Sequence, residues 1–199
     1  MSSARRVSHR TALVLLHYPV TNRAGELITT SVTNLDIHDL ARSARTYEMD
    51  HYFLVTPILE QKAMLERILA HWHTGKSFEW HPDRAEALSR VKCLPDFQAV
   101  KTELIERYPG LPLEVAMPDA RPIPGQRSYA EVRRDWESEP EAGIKVVVLG
   151  TGWGIAEPFF KEVHTLLGPV YGPKGAEGYN HLSVRAAGAV ILDRLFGAP

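Results

Sequence analysis

The sequence predicts an α/β fold, a mostly parallel sheet flanked by helices in a Rossmann-like arrangement. The first observation is the apolar run Val146 to Leu149, which is typical of a strand buried on both faces. The second is the glycine loop after it, with Gly150, Gly152 and Gly154. Open α/β sheets bind small molecules beyond the carboxyl ends of their strands, so we expect a ligand at this loop.

Length and composition indicate one ordinary globular domain. The chain has 199 residues, 44% of them hydrophobic, and a formal net charge of -1. A strongly basic nucleic-acid binder is not indicated, and neither DNA nor a membrane is expected as a partner. Cys93 is the only cysteine, which excludes an internal disulfide and suits a reducing cytoplasm. We expect a flexible N-terminus over residues 1–10 and a single domain over 11–199.

The order of the elements follows from hydrophobic spacing and turn residues. Short apolar runs ended by proline or glycine predict strands over 12–20, 51–57, 113–117 and 145–149. Helical spacing and capping residues predict helices over 35–47, 60–73, 85–91, 97–108, 128–136, 157–167 and 184–195. The last helix is apolar nearly all round, so its own sheet, a second subunit or both should cover it.

Two clusters of polar side chains invite functional interpretations. His38, Arg42 and Arg45 share one face of the first helix, where a solvated face is the simpler interpretation. His71, His73 and His81 match no standard zinc spacing, and we expect no metal site.

A dinucleotide cofactor is one candidate for the glycine loop. That fingerprint belongs at the first strand of a βαβ unit, with an acidic residue at a strand end about 20 residues later. Here the loop comes late, and no such acidic residue follows it. A dinucleotide-dependent enzyme therefore stays a weaker alternative.

Three segments carry a resemblance to a known family. They are TNLDIHDLARSARTYEMDHYFLVTP (33–57), LGTGWG (149–154) and YNHLSVRAAGAVILDRL (179–195). Together, and in this order, they resemble the SPOUT superfamily of α/β-knot, S-adenosylmethionine-dependent RNA methyltransferases, and more narrowly its small bacterial single-domain group. The resemblance extends over nearly the whole chain, from about residue 12 to residue 196.

The resemblance implies a deep C-terminal trefoil knot that holds the cofactor, with knot and pocket over about 112–196. Three loops would form the pocket: the glycine loop, one loop before it in the chain and one loop after it. The cofactor-binding residues carried over by position are Met117, Pro118, Gly150, Thr151, Gly152, Val170, Gly172, Tyr179, Asn180, His181 and Leu182. Backbone groups of glycine loops suit such a ligand because no side chain blocks its approach.

The resemblance also implies catalytic residues. In the branch that methylates ribose 2′-hydroxyls, an early Asn and an Arg on the next helix lie near the methyl group, and Asn34 and Arg42 match them best. Arg45 is the second choice, and an arginine with its very high pKa could equally hold phosphate. Gly152 stands where that branch often has glutamate. Asp119 could serve as a base for nucleobase methylation or simply form a turn.

The expected function is therefore methylation of RNA, tRNA or rRNA, with the ribose 2′-hydroxyl favoured over a base nitrogen. A non-catalytic knotted protein that binds S-adenosylmethionine or RNA is the alternative. Family members usually work as homodimers, and the apolar last helix would suit that interface. RNA affinity would then depend on a local patch such as Arg42, Arg45, Arg121 and Arg127, or on the combined surface of the dimer.

Overall fold

The computed structural model describes residues 9–139 and 141–198. The strands are β1 (Arg10–Leu16), β2 (Val20–Thr21), β3 (Leu27–Ile28), β4 (His51–Val55), β5 (Val91–Leu94), β6 (Leu113–Pro118), β7 (Ile144–Gly150) and β8 (Thr165–Leu167). The α-helices are α1 (Asn34–Thr46), α2 (Leu59–His73), α3 (Gly75–Trp80), α4 (Pro82–Leu88), α5 (Phe97–Arg107), α6 (Tyr129–Ser138) and α7 (Val184–Phe196). Short 3-10 helices span Glu157–Glu162 and Gly175–Glu177.

Six strands form one sheet in the order β5-β4-β1-β7-β6-β8. All of its pairings are parallel, and β1 lies in the middle with Leu15 beside Leu54 of β4 and Leu149 of β7. The two-residue strands β2 and β3 form a separate antiparallel hairpin. The predicted parallel sheet is thus confirmed.

Helices cover both faces of the sheet. On one face Leu13 and Leu15 pack with residues of α1, α2, α4, α6 and α7. On the other face Val14 and Leu16 pack with α5 and with Phe159 of the first 3-10 helix. Strands covered on both sides read as continuous apolar runs, which is why β1, β4 and β7 could be recognised from sequence.

Capping residues place two of the helices. Thr33 caps α1 and Asp36 returns the bond, since the Asp36 N–H donates to Thr33 Oγ1 at 3.2 Å and the Thr33 N–H to Asp36 Oδ2 at 3.1 Å. Ser128 and Glu131 form the same reciprocal pair at the start of α6. These boxes satisfy N–H groups that the first helical turn leaves without partners.

The predicted helix over 157–167 is wrong. The chain forms a 3-10 helix over Glu157–Glu162 and then the edge strand β8. Leu166 of β8 lies beside Met117 of β6. Residues 165–167 extend because β6 has an unpaired edge there, a tertiary effect that local spacing does not encode. The helix predicted for 85–91 lies at Pro82–Leu88, and β5 follows it as a strand that the spacing did not indicate.

The chain termini extend beyond the described residues. Residues 1–8 of the predicted N-terminal segment lie outside them, whereas Arg10 already belongs to β1. Within residues 9–139 and 141–198, none of the helices has the length and apolar character needed to cross a membrane.

Candidate functional site

The glycine loop after β7 is shaped by close contacts that only glycine allows. A Cβ atom on Gly150 would lie 2.4 Å from Cγ1 of Ile155, and one on Gly152 would lie 2.8 Å from the carbonyl oxygen of Thr21. Gly152 and Gly154 have φ angles of 63° and 119°. Residues with a side chain rarely adopt this left-handed backbone conformation. The glycines therefore allow the loop to turn sharply and leave its backbone uncovered by side chains.

The loop is held against the hairpin by backbone hydrogen bonds. The N–H of Trp153 donates to the carbonyl of Thr21, and the N–H of Thr21 donates to the carbonyl of Gly154, both at 2.9 Å. Val20 forms an isolated antiparallel bridge with Ile155. The hairpin therefore acts as a brace that holds the glycine loop in a single conformation.

A series of side-chain hydrogen bonds connects the glycine loop to Thr30 and to the end of β1. The hydroxyl of Thr151 donates to the Leu16 carbonyl at 3.1 Å, so it must accept from Thr30 Oγ1 at 2.5 Å. Thr30 in turn must accept from Nδ1 of His17 at 3.0 Å, which identifies the Nδ1-protonated tautomer. Burial lowers the pKa of His17 to about 4, against a smaller opposing effect of Asp36. His17 therefore stays neutral at pH 7 as a fixed donor.

A cavity of about 710 Å³ opens beside this loop, at the carboxyl ends of β6 and β7. That volume lies within the range of about 300–1,000 Å³ usual for small-molecule pockets. Three segments line the cavity, namely 118–121, 149–155 and 168–170, and the chain that leads into α7 closes it with 180–184. Tyr129 of α6 ties the third segment to the helix, because its hydroxyl donates to the carbonyl of Gly168 at 2.8 Å.

Most of the predicted cofactor residues meet in this cavity. Those that line it are Pro118, Gly150, Thr151, Gly152, Val170, Asn180, His181 and Leu182. Met117, Gly172 and Tyr179 are not among its lining residues; Met117 is fully buried under the sheet edge and Tyr179 is 85% exposed. Sequence reasoning had not assigned Tyr129, Ile155 or Ser183 to the site, and no local signal marks them.

The cavity carries groups that suit a cofactor with polar edges. Oδ1 of Asn180 is buried and accepts no hydrogen bond from the described part of the chain, while its Nδ2 donates to the carbonyl of Gly175 at 3.1 Å. An unpaired buried acceptor is costly unless a ligand or water donates to it. The bare glycine backbone and this acceptor together fit the amino groups and apolar surfaces of S-adenosylmethionine.

Asp119 and Arg121 form an ion pair at the cavity wall. Asp119 Oδ1 accepts from the backbone N–H of Arg121 at 2.8 Å and from its Nε at 2.9 Å, while Oδ2 accepts from Nη2 at 2.7 Å. The hydrogen bond that Arg121 donates to Asp119 raises the pKa of Arg121 further above its ordinary value. The Asp119 side chain is only 8% exposed. Asp119 thus forms the turn expected of it and also presents a carboxylate to the cavity.

The predicted catalytic residues lie elsewhere in this chain. Asn34 is the exposed first residue of α1, and Arg42 is exposed on the same helix. Arg42 lines a second cavity, of about 540 Å³, between α1 and the start of α7. Arg45 forms an ion pair with Glu86, with Nε and Oε1 2.6 Å apart. The structure therefore brings neither Asn34 nor Arg42 to the cavity beside the glycine loop of the same chain.

Two of the three histidines singled out in the sequence pack against Trp72. Among residues 9–139 and 141–198 there is no group of three or more His, Cys, Asp or Glu side chains that could hold a metal ion. His71 and His81 instead lie with their ring edges toward Trp72.

Comparison with known proteins identifies the family. The family described as SAM-dependent RNA methyltransferase matches residues 10–197. The chain is 37% identical over 195 residues to the tRNA (guanine-N(1)-)-methyltransferase of Nitratidesulfovibrio vulgaris, covering 98% of this chain and 44% of that protein. It is 34% identical over 190 residues to an uncharacterized protein of Aquifex aeolicus, covering 96% and 90%.

A solved structure shows the same architecture. The SpoU methyltransferase AviRb from Streptomyces viridochromogenes, in complex with AdoMet, superposes with a TM-score of 0.52 and 13% identity, over 97% of this chain and 58% of that one. The chain therefore shares the fold of this SpoU methyltransferase. The chain belongs to the family of S-adenosylmethionine-dependent RNA methyltransferases. This assignment removes the dinucleotide alternative, and the trefoil knot stays a prediction.

Proposed function

We propose that this chain binds S-adenosylmethionine in the 710 Å³ cavity and methylates tRNA. The observation that carries the proposal is the bare glycine loop at the carboxyl end of β7, braced by the hairpin and opposite the unpaired Oδ1 of Asn180. The family supports the cofactor and the RNA substrate. The name of the Nitratidesulfovibrio relative supports tRNA in particular.

For the acceptor atom we propose a ring nitrogen of guanine. The chain spans 44% of the relative named for guanine-N(1) methylation, so that name describes a protein more than twice as long. The preference for ribose 2′-oxygen depended on Asn34 and Arg42, and in one chain neither lines the cofactor cavity. A carboxylate does line it, which suits an acceptor nitrogen that carries a proton.

The chain's own residues have distinct roles in this reaction. S-adenosylmethionine, when bound, supplies a methyl group activated by its sulfonium sulfur. The glycine loop and residues 180–182 hold and orient it, since positioning is a large part of catalysis for an in-line transfer. Methylation at N1 of guanine releases the N1 proton, and Asp119 accepts it. Three donors from Arg121 occupy three of the roughly four acceptor positions of the carboxylate, so one is open.

We further propose that the protein acts as a homodimer, with α1 and α7 at the interface. Arg42 would then serve the partner's cavity, where it would bind phosphate or the reacting nucleotide. Gly188 already lets α7 approach α1 closely, because a Cβ there would lie 2.6 Å from Leu40 Cδ2. The outer side of α7, with exposed Ala186 and half-buried Ala189 and Val190, is left for a second subunit.

The test uses unmodified tRNA transcripts, methyl-labelled S-adenosylmethionine and mass spectrometry of the nucleosides. We expect 1-methylguanosine from the wild type, and a loss of rate on the order of 100-fold in Asp119→Asn. Affinity for S-adenosylmethionine in calorimetry should change little in that variant. Arg121→Gln is the control for the broken ion pair and should retain much more activity than Asp119→Asn.

Other products would give other conclusions. A 2′-O-methylated nucleoside would overturn the guanine proposal and return the ribose alternative. Binding of S-adenosylmethionine without any transfer would support a non-catalytic protein. No binding of the cofactor would overturn the whole assignment.

A further inference from the structure

Trp153 is an exposed tryptophan held rigidly at the rim of the cofactor cavity. Its side chain is 62% exposed, although the residue lines the cavity. Its backbone is anchored by the hydrogen bond from its N–H to Thr21, and the left-handed Gly152 and Gly154 flank it. A large aromatic ring exposed on a fixed loop gains free energy when a flat partner covers it, and it loses little entropy.

A positive charge lies over the ring. The guanidinium carbon of Arg23 is 5.8 Å from the centroid of the Trp153 ring. Arg23 sits in the turn of the hairpin, where the Asn22 side chain accepts from the N–H groups of Ala24 and Glu26. Nδ2 of Asn22 also donates to the carboxylate of Glu26 at 2.7 Å. Glu26, the acidic residue nearest to Arg23 in sequence, therefore already has a hydrogen-bond partner. The turn thus places the guanidinium of Arg23 over an exposed aromatic ring.

A second guanidinium borders the same loop. Nη2 of Arg121 is 3.6 Å from the position that a Cβ on Gly154 would occupy, and the Arg121 side chain is 60% exposed. The rim of the cavity therefore carries the indole of Trp153 with two guanidinium groups near it, those of Arg23 and Arg121. Bases of single-stranded RNA stack on aromatic rings while arginines contact the neighbouring phosphates. A duplex offers no free base face to such a ring.

We propose that Trp153 is a stacking platform for an unpaired base of the RNA substrate, with Arg23 binding the adjacent phosphate. The inference rests on the proposed RNA methyltransferase function and extends it, because it requires the target nucleotide to lie in a single-stranded or opened segment. The platform stands at the cavity rim, so the stacked base is the target itself or its neighbour.

The test measures fluorescence anisotropy of a labelled ten-nucleotide single-stranded RNA and of a duplex of the same sequence with the full chain. We expect Trp153→Ala to weaken single-strand binding about tenfold and Trp153→Phe to restore most of it. Duplex binding should change less than twofold. Trp80→Ala is the matched control, because Trp80 is also exposed, at 69%, with Lys76 5.7 Å from its ring centroid.

Each other outcome overturns the proposal in a distinct way. Equal losses for single strand and duplex would show that the ring does not act by stacking on an unpaired base. A loss of S-adenosylmethionine affinity in Trp153→Ala would assign the ring to the cofactor, and a change in oligomeric state would assign it to a second copy. Methyl transfer to tRNA by the wild type is measured separately, so a failure of the stacking inference is distinguishable from a failure of the proposed function.

Discussion

At the scale of single residues, His17 links the stability of the site to pH. Its side chain is 1% exposed, and burial lowers its pKa to about 4. The unfolded chain binds a proton there below pH 6.5 while the folded chain does not, so stability is full above pH 6.5 and falls between pH 6.5 and pH 4. The loss amounts to about 3 kcal/mol.

Denaturant titrations at several pH values test this prediction. His17→Asn keeps a donor near the position of Nδ1 but does not titrate, so its unfolding free energy should fall less than that of the wild type over this range. Parallel pH profiles for the two proteins would show that His17 does not carry the dependence.

At the scale of elements, Lys145 ties β7 to β6 at the end of the sheet opposite the cavity. Its Nζ lies 2.6 Å from Glu114 Oε2 and 2.6 Å from Glu139 Oε1, and its side chain is 4% exposed. Burial alone would raise the pKa of Glu114, but hydrogen bonds from Lys145 and Trp136 lower it below its ordinary value. This carboxylate therefore stabilises the fold above about pH 4.5, and its contribution is lost as the pH falls through its lowered pKa.

The carboxylates of Glu114 and Glu139 should differ in how much they contribute to the free energy of unfolding. Glu114 also accepts from Trp136 Nε1 and Thr165 Oγ1, both at 3.0 Å. Glu114→Gln should cost about 3 kcal/mol because it breaks a buried pair and its network. Glu139→Gln removes a partially exposed partner and should cost about 1 kcal/mol. Chemical denaturation at pH 7 compares them, and equal losses would contradict the network.

Elements with their own local signals could be predicted from sequence. The capping pair of Ser128 and Glu131 marked the start of α6, and the run Val146 to Leu149 marked the central strand. The strands β5 and β8 could not be recognised, because they have four and three residues and form only where a neighbouring strand offers its edge. The glycine loop was likewise recognisable because its three glycines are visible in the sequence, but the hairpin that holds it lies far away in the chain. The position of Arg42 depends on how α1 packs and on any second subunit, which no local pattern encodes.

At the scale of the whole molecule, Arg42 lies outside the cavity that we propose for the cofactor. Whether Arg42 takes part in catalysis therefore depends on how two subunits assemble. Arg42 lines the open cavity between α1 and α7, together with exposed Ala186. A catalytic role for Arg42 requires a partner whose cofactor cavity faces this surface. In a symmetric dimer both active sites would then combine Asp119 of one subunit with Arg42 of the other.

Complementation between inactive variants tests this arrangement. Arg42→Ala and Asp119→Asn should each lower transfer to about 1% of the wild-type rate, yet a mixed dimer contains one site with both residues intact. Refolding an equal mixture should therefore restore about a quarter of the wild-type activity, because half of the dimers are mixed and each has one complete site of two. Sedimentation should show dimers in every sample. If the mixture stays inactive while mixed dimers form, Arg42 does not act on the partner's cavity.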